Sequence, residues 1–476
     1  MSKRPLYMKD RRHSWIWLVL LLIGGIYALC AYRAHAPLQM LVENSELKGR
    51  SFSGQVEEIT ASASGLKAYF MMGAETPLVS MSFIFDKAGS AYDEEGKEGL
   101  AKMAAATLTA GAGKQSAEAL ADESGIKGIK ISFSVDKDTL SGNLTMPAKF
   151  LEDGGEMLHR VLTAPRFEGK YVDNARAAFL KLLESEKENP SQELALAFQK
   201  LVYGTHPYGR NPKGTKTSLE ALSRSDLQSF VKKHLGQSNL FVGISGHLTK
   251  EQAETLVDTV FGGLPKEAEI LEIEVPVLNL TKPVLTIDRT VGQNITAYAT
   301  KGTCRKCDDF YPLYIANYLF GGAGLTSRVN QSLREKEGLT YGGYSSLVLN
   351  DKANLLTAGF SATPDKYAQA EKLFADEWQK AAKGFSEEEL QQAKNYLTAS
   401  YNLRFASTAG IAEMLAYMQK YDLGLDFLIK RNSYVEGVTL KQLNETAYTY
   451  FSQPLLQAKT GLFNKEKTNV RIKQEN

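Results

Sequence analysis

The side chains able to hold a catalytic metal are few in this chain and widely spaced. Six histidines occur, and no two of them stand three or four residues apart. A catalytic zinc ion takes about three nitrogen, sulfur or oxygen ligands and a water molecule, and two histidines one helical turn apart commonly supply two of them. Glu156 and His159 form an E-x-x-H pair on an amphipathic helix, where a surface pair is the simpler interpretation. The sequence therefore argues against a self-sufficient metallopeptidase.

Two cysteines lie beyond the N-terminal segment, in a polar loop that precedes a helix. Cys304 and Cys307 have the C-x-x-C spacing of redox centres and half zinc sites, but no second such pair completes a zinc site. We expect a surface pair that closes a small disulfide loop in an oxidising compartment.

Three stretches of sequence match one peptidase family in order and spacing. They read Y-G-T-H-P-Y-G at 203–209, G-G-A-G at 321–324 followed by Ser327 and Arg328, and L-R-E-K-E-G-L-T-Y at 333–341. Over about residues 60–465 the chain resembles the insulinase/pitrilysin family of zinc peptidases, in its two-domain bacterial, processing-peptidase-like branch. The third stretch is the most specific of the three.

The resemblance also locates the family's catalytic helix, which reads G-L-A-H-x-x-E-H in active members and G-L-A-K-M-A-A-A here. Lys102 and Ala106 stand at the two histidine positions, and Ala105 stands at the position of the general-base glutamate. The third ligand, a glutamate in active members, falls at Leu182. Two acidic residues lie nearby on other faces of the same helix: Glu184 and Glu186. The resemblance thus implies a member that has lost its zinc site, that binds no cofactor and that is inactive alone.

The resemblance marks two further residues, which this chain keeps. Arg334 and Tyr341 stand seven residues apart in the third stretch. In members with two-lobed sites, an arginine and a tyrosine at this spacing in the second half face the zinc ion of the first half and hold the substrate backbone and the developing oxyanion. Both side chains are hydrogen-bond donors that need no metal. From the residues alone, Arg334 belongs to a solvated surface and Tyr341 to a core strand, and this alternative stays open.

Two functions are compatible with these residues. The first is a noncatalytic subunit of a heteromeric zinc peptidase, in which Arg334 and Tyr341 act on a peptide at the zinc site of a partner that carries H-x-x-E-H. The zinc ion would then belong to the partner. The second is a peptide-binding or assembly scaffold with no role in hydrolysis. Nucleic acid is not an expected partner, because 56 lysines and arginines are balanced by 54 aspartates and glutamates.

The elements that position these residues are expected to be strands paired with helices. Alternating apolar residues predict strands at 79–85, 131–135 and 140–146. Start signals predict helices at four positions: Thr249, Thr363 with Pro364, Ser386 and Thr439. The predicted fold class is α+β, with two homologous α/β-sandwich domains, each a mixed sheet with helices on one face, after an N-terminal transmembrane helix.

Two short matches indicate that the two domains arose by duplication. The pattern L-x-x-G-A-G-x-x-S occurs at 108–116 and again 211 residues later, and a second match at 219–223 recurs 216 residues later. The predicted segments are a cytoplasmic basic tail (1–14), a transmembrane anchor or signal (15–32), a spacer (37–55), an N-terminal peptidase-like domain without its zinc site (56–262), a linker (263–283) and a C-terminal peptidase-like domain with the arginine and tyrosine (284–470).

The N-terminal segment is typical of a membrane anchor. Five cationic residues precede Trp15, and the uncharged residues 15–32 would reach about 27 Å as a helix, close to the thickness of a hydrocarbon core. A signal peptide cleaved after Ala36 is the alternative, although the apolar run is longer than most signal peptides have. In either case the charge distribution predicts a single-pass inner-membrane protein or an exported one, with residues 37–476 in the periplasm.

Overall fold

The computed structural model describes residues 54–73, 76–281 and 283–463. The predicted basic tail, the predicted membrane segment and most of the predicted spacer lie outside these residues. Among the described residues, no helix has the length and apolar character needed to cross a membrane. Below, residues 54–281 are called the first half and residues 283–463 the second half.

The first half contains a mixed sheet of six strands. They are β1 (Glu57–Thr60), β2 (Lys67–Met72), β3 (Leu78–Asp86), β4 (Lys130–Val135), β5 (Thr139–Pro147) and β6 (Leu240–Gly246). Their order across the sheet is β1-β2-β6-β3-β5-β4; β2 and β6 are parallel and the other neighbours are antiparallel. The three strands predicted from alternating apolar residues are confirmed as β3, β4 and β5.

The second half contains a mixed sheet of five strands with the same topology. They are β7 (Leu285–Asp288), β8 (Asn294–Lys301), β9 (Thr340–Leu349), β10 (Asn354–Ala362) and β11 (Leu456–Gly461). Their order is β7-β11-β8-β10-β9; β7 and β11 are parallel, as β2 and β6 are in the first sheet, and the other neighbours are antiparallel. Apart from β1, each strand of the first sheet thus has its counterpart five strands later in the chain. This is the repeat that the two motif matches predicted.

The helices lie on these sheets and between the halves. They are α1 (Leu100–Thr107), α2 (Ala117–Lys127), α3 (Leu151–Thr163), α4 (Gly169–Glu188), α5 (Pro190–Tyr203), α6 (Lys216–Ala221), α7 (Arg224–His234), α8 (Lys250–Phe261), α9 (Phe310–Asn317), α10 (Arg328–Asn330), α11 (Tyr367–Lys383), α12 (Glu387–Tyr401), α13 (Thr408–Lys420), α14 (Phe427–Glu436) and α15 (Leu440–Phe451).

Three of the four predicted helix starts are correct. The hydroxyl groups of Thr249, Ser386 and Thr439 each accept a backbone N–H of the first turn, as a capping box requires. The start predicted at Thr363 is wrong, because the helix begins at Tyr367. Thr363 begins a turn instead, in which the N–H of Lys366 donates to its carbonyl oxygen at 3.0 Å. Proline at the second position suits such a turn as well as it suits a helix start.

Each half contributes one helix to the sheet of the other half. Helix α13 of the second half lies on β2, β3 and β6, and helix α5 of the first half lies on β7, β8 and β11. On β3, the side chains of Val79, Met81, Phe83 and Phe85 enter the core of the first half. Ser80 points to the opposite face and lies 2.9 Å from the hydroxyl of Thr408 on α13. Both sheets are therefore covered on both faces. The prediction of helices on one face only is wrong, because the second cover comes from the distant half of the chain.

Gly243 on β6 is a point of close approach between α13 and the first sheet. A Cβ atom there would lie 2.2 Å from the carbonyl oxygen of Ala412 and 2.4 Å from the nitrogen of Ala416, which are backbone atoms of the helix. We expect Gly243→Ala to lower the free energy of unfolding by about 1–3 kcal/mol, because overpacking a filled interface forces the backbone apart. Chemical denaturation measures this change.

The matched control is Gly125→Ala on α2, where an added Cβ has no atom within 4 Å. Alanine favours the helix relative to glycine, so this variant should be as stable as the parent or slightly more stable. Equal stability of Gly243→Ala and the parent would contradict the close packing of α13.

Candidate functional site

Helix α1 carries the residues at the family's catalytic positions on one face, which is partly open to solvent: Lys102, Ala105 and Ala106. The start of the helix is held by Asp93, whose buried carboxylate accepts the N–H groups of Gly99 at 2.8 Å and Ala101 at 2.9 Å. Burial raises the pKa of Asp93 to about 7 in spite of these two bonds. The helix is thus firmly placed, but it presents an ammonium and a methyl group where a zinc ion needs ligands, and a second methyl group where the general base would stand.

The third ligand position lies on helix α4. Leu182 is 46% exposed there, whereas Glu186, one turn later, is buried. The carboxylate of Glu186 accepts hydrogen bonds from the ammonium of Lys213 and from the amide of Asn211, the latter at 2.8 Å. Burial and then the charge of Lys213 lower the pKa of Lys102. The buried carboxylate of Glu186 is thus already paired, and two nearby ammonium groups would repel a dication, so these residues do not fit a zinc ion.

No group of three or more histidine, cysteine, aspartate or glutamate side chains suited to a metal ion occurs among residues 54–73, 76–281 and 283–463. Glu184 is exposed. His159 lies 3.3 Å from the carbonyl oxygen of Val260, and His206 accepts the N–H of Tyr208 at 3.1 Å in a turn. Both histidines therefore have structural contacts within the fold.

A cavity of about 310 Å³ opens beside Lys102, at the junction of the two halves. Its walls come from α1, from the turn after β4, from the end of β9 and from the end of α13. The charged residues that line it are Lys102, Asp136, Lys137, Asp138 and Lys420. Most of these residues belong to no sequence motif, so the sequence alone did not identify them as site residues.

Buried charges at this junction tie the two halves together. Lys420 forms ion pairs with Asp86 of the first half and Asp351 of the second half, both at 2.9 Å, and its side chain is only 6% exposed. Burial alone would lower the pKa of Lys420, but the two carboxylates outweigh burial and raise it. Asp138 accepts the N–H of Asp351 at 3.0 Å and the hydroxyl of Tyr208. Burial raises the pKa of Asp138 to about 6.

Arg334 and Tyr341 lie on one short segment at the edge of the second sheet. Arg334 belongs to a π-helical turn (Gln331–Lys336), a form of helix that is frequent at functional sites, and Tyr341 is the second residue of edge strand β9. Gly338 joins the two with a positive φ of 59°, and its N–H donates to the carbonyl oxygen of Arg334 at 3.0 Å. Tyr341 is 74% exposed and the side chain of Arg334 is 42% exposed. Tyr341 is therefore a surface residue of its strand, and both side chains are accessible to another molecule.

Asn330 holds this segment in place. Its side chain, in a residue that is 3% exposed, donates to the carbonyl oxygens of Gly324 at 2.7 Å and Gly343 at 2.8 Å and accepts the N–H of Gly343 at 2.7 Å. Asn330 therefore connects the glycine-rich turn, the turn that carries Arg334 and the strand that carries Tyr341. A bidentate ion pair between Arg328 and Glu389, at 2.6 and 2.7 Å, fixes the same segment to α12.

The arginine and tyrosine are far from the cavity of their own chain. Leu349, at the other end of β9, lines that cavity. Tyr341 and Leu349 are eight positions apart along the strand, a length of about 27 Å at roughly 3.4 Å per residue. Within one chain, Arg334 and Tyr341 therefore do not act together with the residues of helix α1.

Cys304 and Cys307 form a disulfide in the loop before α9. The loop is at the surface, with Cys307 exposed. This agrees with the predicted small-loop disulfide.

The fold and the site together define a class of protein: a two-sheet peptidase-like α+β structure whose catalytic positions carry no metal ligands, with an arginine and a tyrosine exposed at the edge of its second sheet. Residues 221–397 match the family model described as the Peptidase M16 inactive domain. The comparisons bear out the resemblance to the insulinase-like family that the three motifs indicated, and the model that matches is described as an inactive domain.

Two relatives and one solved structure illustrate the similarity. The chain is 24% identical over 286 residues to an uncharacterized zinc protease of Mycobacterium bovis, a match that covers 58% of this chain and 64% of that protein. The chain thus spans just under two thirds of the length of that relative. It is 22% identical over 381 residues to the non-peptidase homolog YmxG of Helicobacter pylori, covering 78% of this chain and 86% of that protein. A crystal structure of a peptidase M16 inactive domain from Pseudomonas fluorescens superimposes with a TM-score of 0.79 at 25% identity, covering 87% of this chain and 99% of that one.

Proposed function

We propose that this chain is the noncatalytic subunit of a heteromeric zinc metallopeptidase, and that it supplies Arg334 and Tyr341 to the zinc site of a partner subunit. The partner carries the H-x-x-E-H motif and the zinc ion, and the substrate is a peptide. The guanidinium and the phenol donate hydrogen bonds to the substrate backbone and to the oxyanion that develops on the scissile carbonyl.

One observation carries this proposal above all. Arg334 and Tyr341 are exposed on a segment that is held by the buried side chain of Asn330, about 27 Å along β9 from the cavity of their own chain. A pair of donors that is both accessible and firmly positioned is suited to a substrate held by another subunit. The loss of every ligand position on this chain's own helix α1 supports the same division of labour.

The proposal includes a location. Residues 15–32 anchor the chain in the inner membrane and the folded part lies in the periplasm, or is exported if the segment is cleaved. The disulfide between Cys304 and Cys307 supports an oxidising compartment.

The test compares the purified chain alone with the chain mixed with a candidate partner that carries H-x-x-E-H. We expect the chain alone to contain no stoichiometric zinc by elemental analysis and to cleave no peptide, because Lys102, Ala105 and Ala106 provide no ligand or base. We expect the mixture to form a stable complex that hydrolyses peptides faster than the partner alone. One tightly bound zinc ion per chain together with chelator-sensitive hydrolysis by the chain alone would refute the division of labour.

The alternative function is a peptide-binding or assembly scaffold. It is supported by the description of residues 221–397 as an inactive domain. A scaffold would stabilise the partner without changing turnover per zinc ion, so turnover measured at equal zinc content distinguishes the two functions.

A further inference from the structure

Two ammonium groups line the cavity at the junction of the halves without a carboxylate partner. Lys102 and Lys137 both border it, and neither forms an ion pair within the part of the chain that the structure describes. Lys102 donates one hydrogen bond to the carbonyl oxygen of Val135 at 2.9 Å, and Lys137 donates one to the carbonyl oxygen of Tyr208 at 2.8 Å. An ammonium group has three donors, so each lysine retains two for a ligand.

Both lysines are half-buried, and the positive charge on Lys137 is disfavoured. Burial lowers the pKa of Lys137 to about 8; the charge of Lys102 acts in the same direction, and the carboxylates of Asp138 and Asp136 oppose it. Buried or half-buried charges in proteins are normally paired. An anion between the two ammonium groups would relieve both the loss of hydration and the repulsion.

The acidic residues on the same wall are already engaged. Asp136 accepts the N–H groups of Asp138 at 2.8 Å and Thr139 at 2.6 Å, together with the hydroxyl of Thr139 at 3.1 Å. Asp138 is held by Tyr208 and Asp351, and Lys420 lies between Asp86 and Asp351. These carboxylates thus already have hydrogen-bond or ion-pair partners, but their charge remains and favours a singly charged ligand over a doubly charged one.

We propose that this cavity binds a carboxylate group between Lys102 and Lys137. The volume of about 310 Å³ is at the lower end of the range for ligand sites and suits a small group rather than a folded partner. The carboxylate comes either from the C-terminus of a peptide or from a free small acid. The site does not involve Arg334 or Tyr341, so it stands independently of the proposed peptidase function.

Calorimetric titration of the purified full chain tests the site, with four probes: N-acetyl-Ala-Ala as the free acid, the same dipeptide as its C-terminal amide, acetate and inorganic phosphate. We expect the free acid to bind and the amide to bind at least about tenfold more weakly, because loss of a charge-assisted hydrogen bond costs about that much. Acetate binding as tight as that of the dipeptide acid identifies a free small acid as the ligand. Binding of the dipeptide acid alone identifies a chain terminus.

Lys102→Met and Lys137→Met should each weaken binding of the acid by about 10- to 100-fold. Lys130→Met is the control, since Lys130 is exposed at the start of β4, the strand that leads to the turn with Lys137, and does not line the cavity. If one of the two variants does not fold, acylation of the parent chain at pH 8 gives a second measurement, in which the bound acid should slow modification of Lys137 but not of Lys130. Equal binding of acid and amide, no binding of either, tighter binding of phosphate, or unchanged affinity in the folded variants would each overturn the proposal.

Discussion

Arg334→Ala should lower the turnover of the reconstituted complex by about 100- to 1,000-fold, the usual cost of removing one donor to an oxyanion. Tyr341→Phe should lower it within the same range, because only the hydroxyl is removed. The side chains are exposed, so neither change should weaken assembly. The measurement is hydrolysis of one peptide at equal complex concentration, with kcat and KM determined separately. A role in the transition state predicts loss mainly in kcat.

Two neighbouring residues provide matched controls. Lys336→Ala changes another exposed cation of the same π-helical turn, and Tyr344→Phe removes the hydroxyl of another exposed tyrosine of β9. Both should retain near-normal turnover. Arg334→Lys should restore only part of the activity, because an ammonium group lacks the planar fork of a guanidinium. Normal turnover in both Arg334→Ala and Tyr341→Phe would leave the scaffold as the better explanation.

Lys420→Met should lower the free energy of unfolding by about 3–5 kcal/mol, because it leaves two carboxylates at the junction without their shared cation. The lysine side chain is 6% exposed and those of Asp86 and Asp351 are both 22% exposed, so solvent screens the remaining repulsion poorly. Burial already raises the pKa of Asp86 even with the lysine present. Chemical denaturation measures the effect.

The control for this prediction is Lys441→Met, which removes a lysine paired with Glu445 at 3.8 Å on the surface of α15 and should change stability little. Adding Asp351→Asn to Lys420→Met should recover part of the loss, because one of the unpaired charges is then removed. If Lys420→Met is as stable as Lys441→Met, the buried ion pairs do not hold the halves together.

The strands were easier to predict from the sequence than the helices that pack on their second face. A strand such as β3 can be predicted from the sequence because its side chains alternate between two environments. The face of β3 with Ser80 gave no signal of burial, since serine is as common on surfaces as in contacts. It is buried because α13, more than 300 residues later in the chain, lies on it. The same distance explains why the sequence predicted helices on one face only.

The sequence by itself indicated the family, the loss of zinc ligands at Lys102 and Ala106, and the loss of the base at Ala105. It also singled out Arg334 and Tyr341. All of these inferences depend on residue types at fixed local spacings. Helix caps such as Thr249 are local in the same sense. Only the tertiary structure decided that Leu182 is exposed while Glu186 is buried against Lys213, because two positions one turn apart differ only in what packs on them. The cavity also belongs to the tertiary structure. Lys137 and Lys420 meet there because two sheets exchange helices, and electrostatic interactions between residues so distant in the chain leave no local pattern in the sequence.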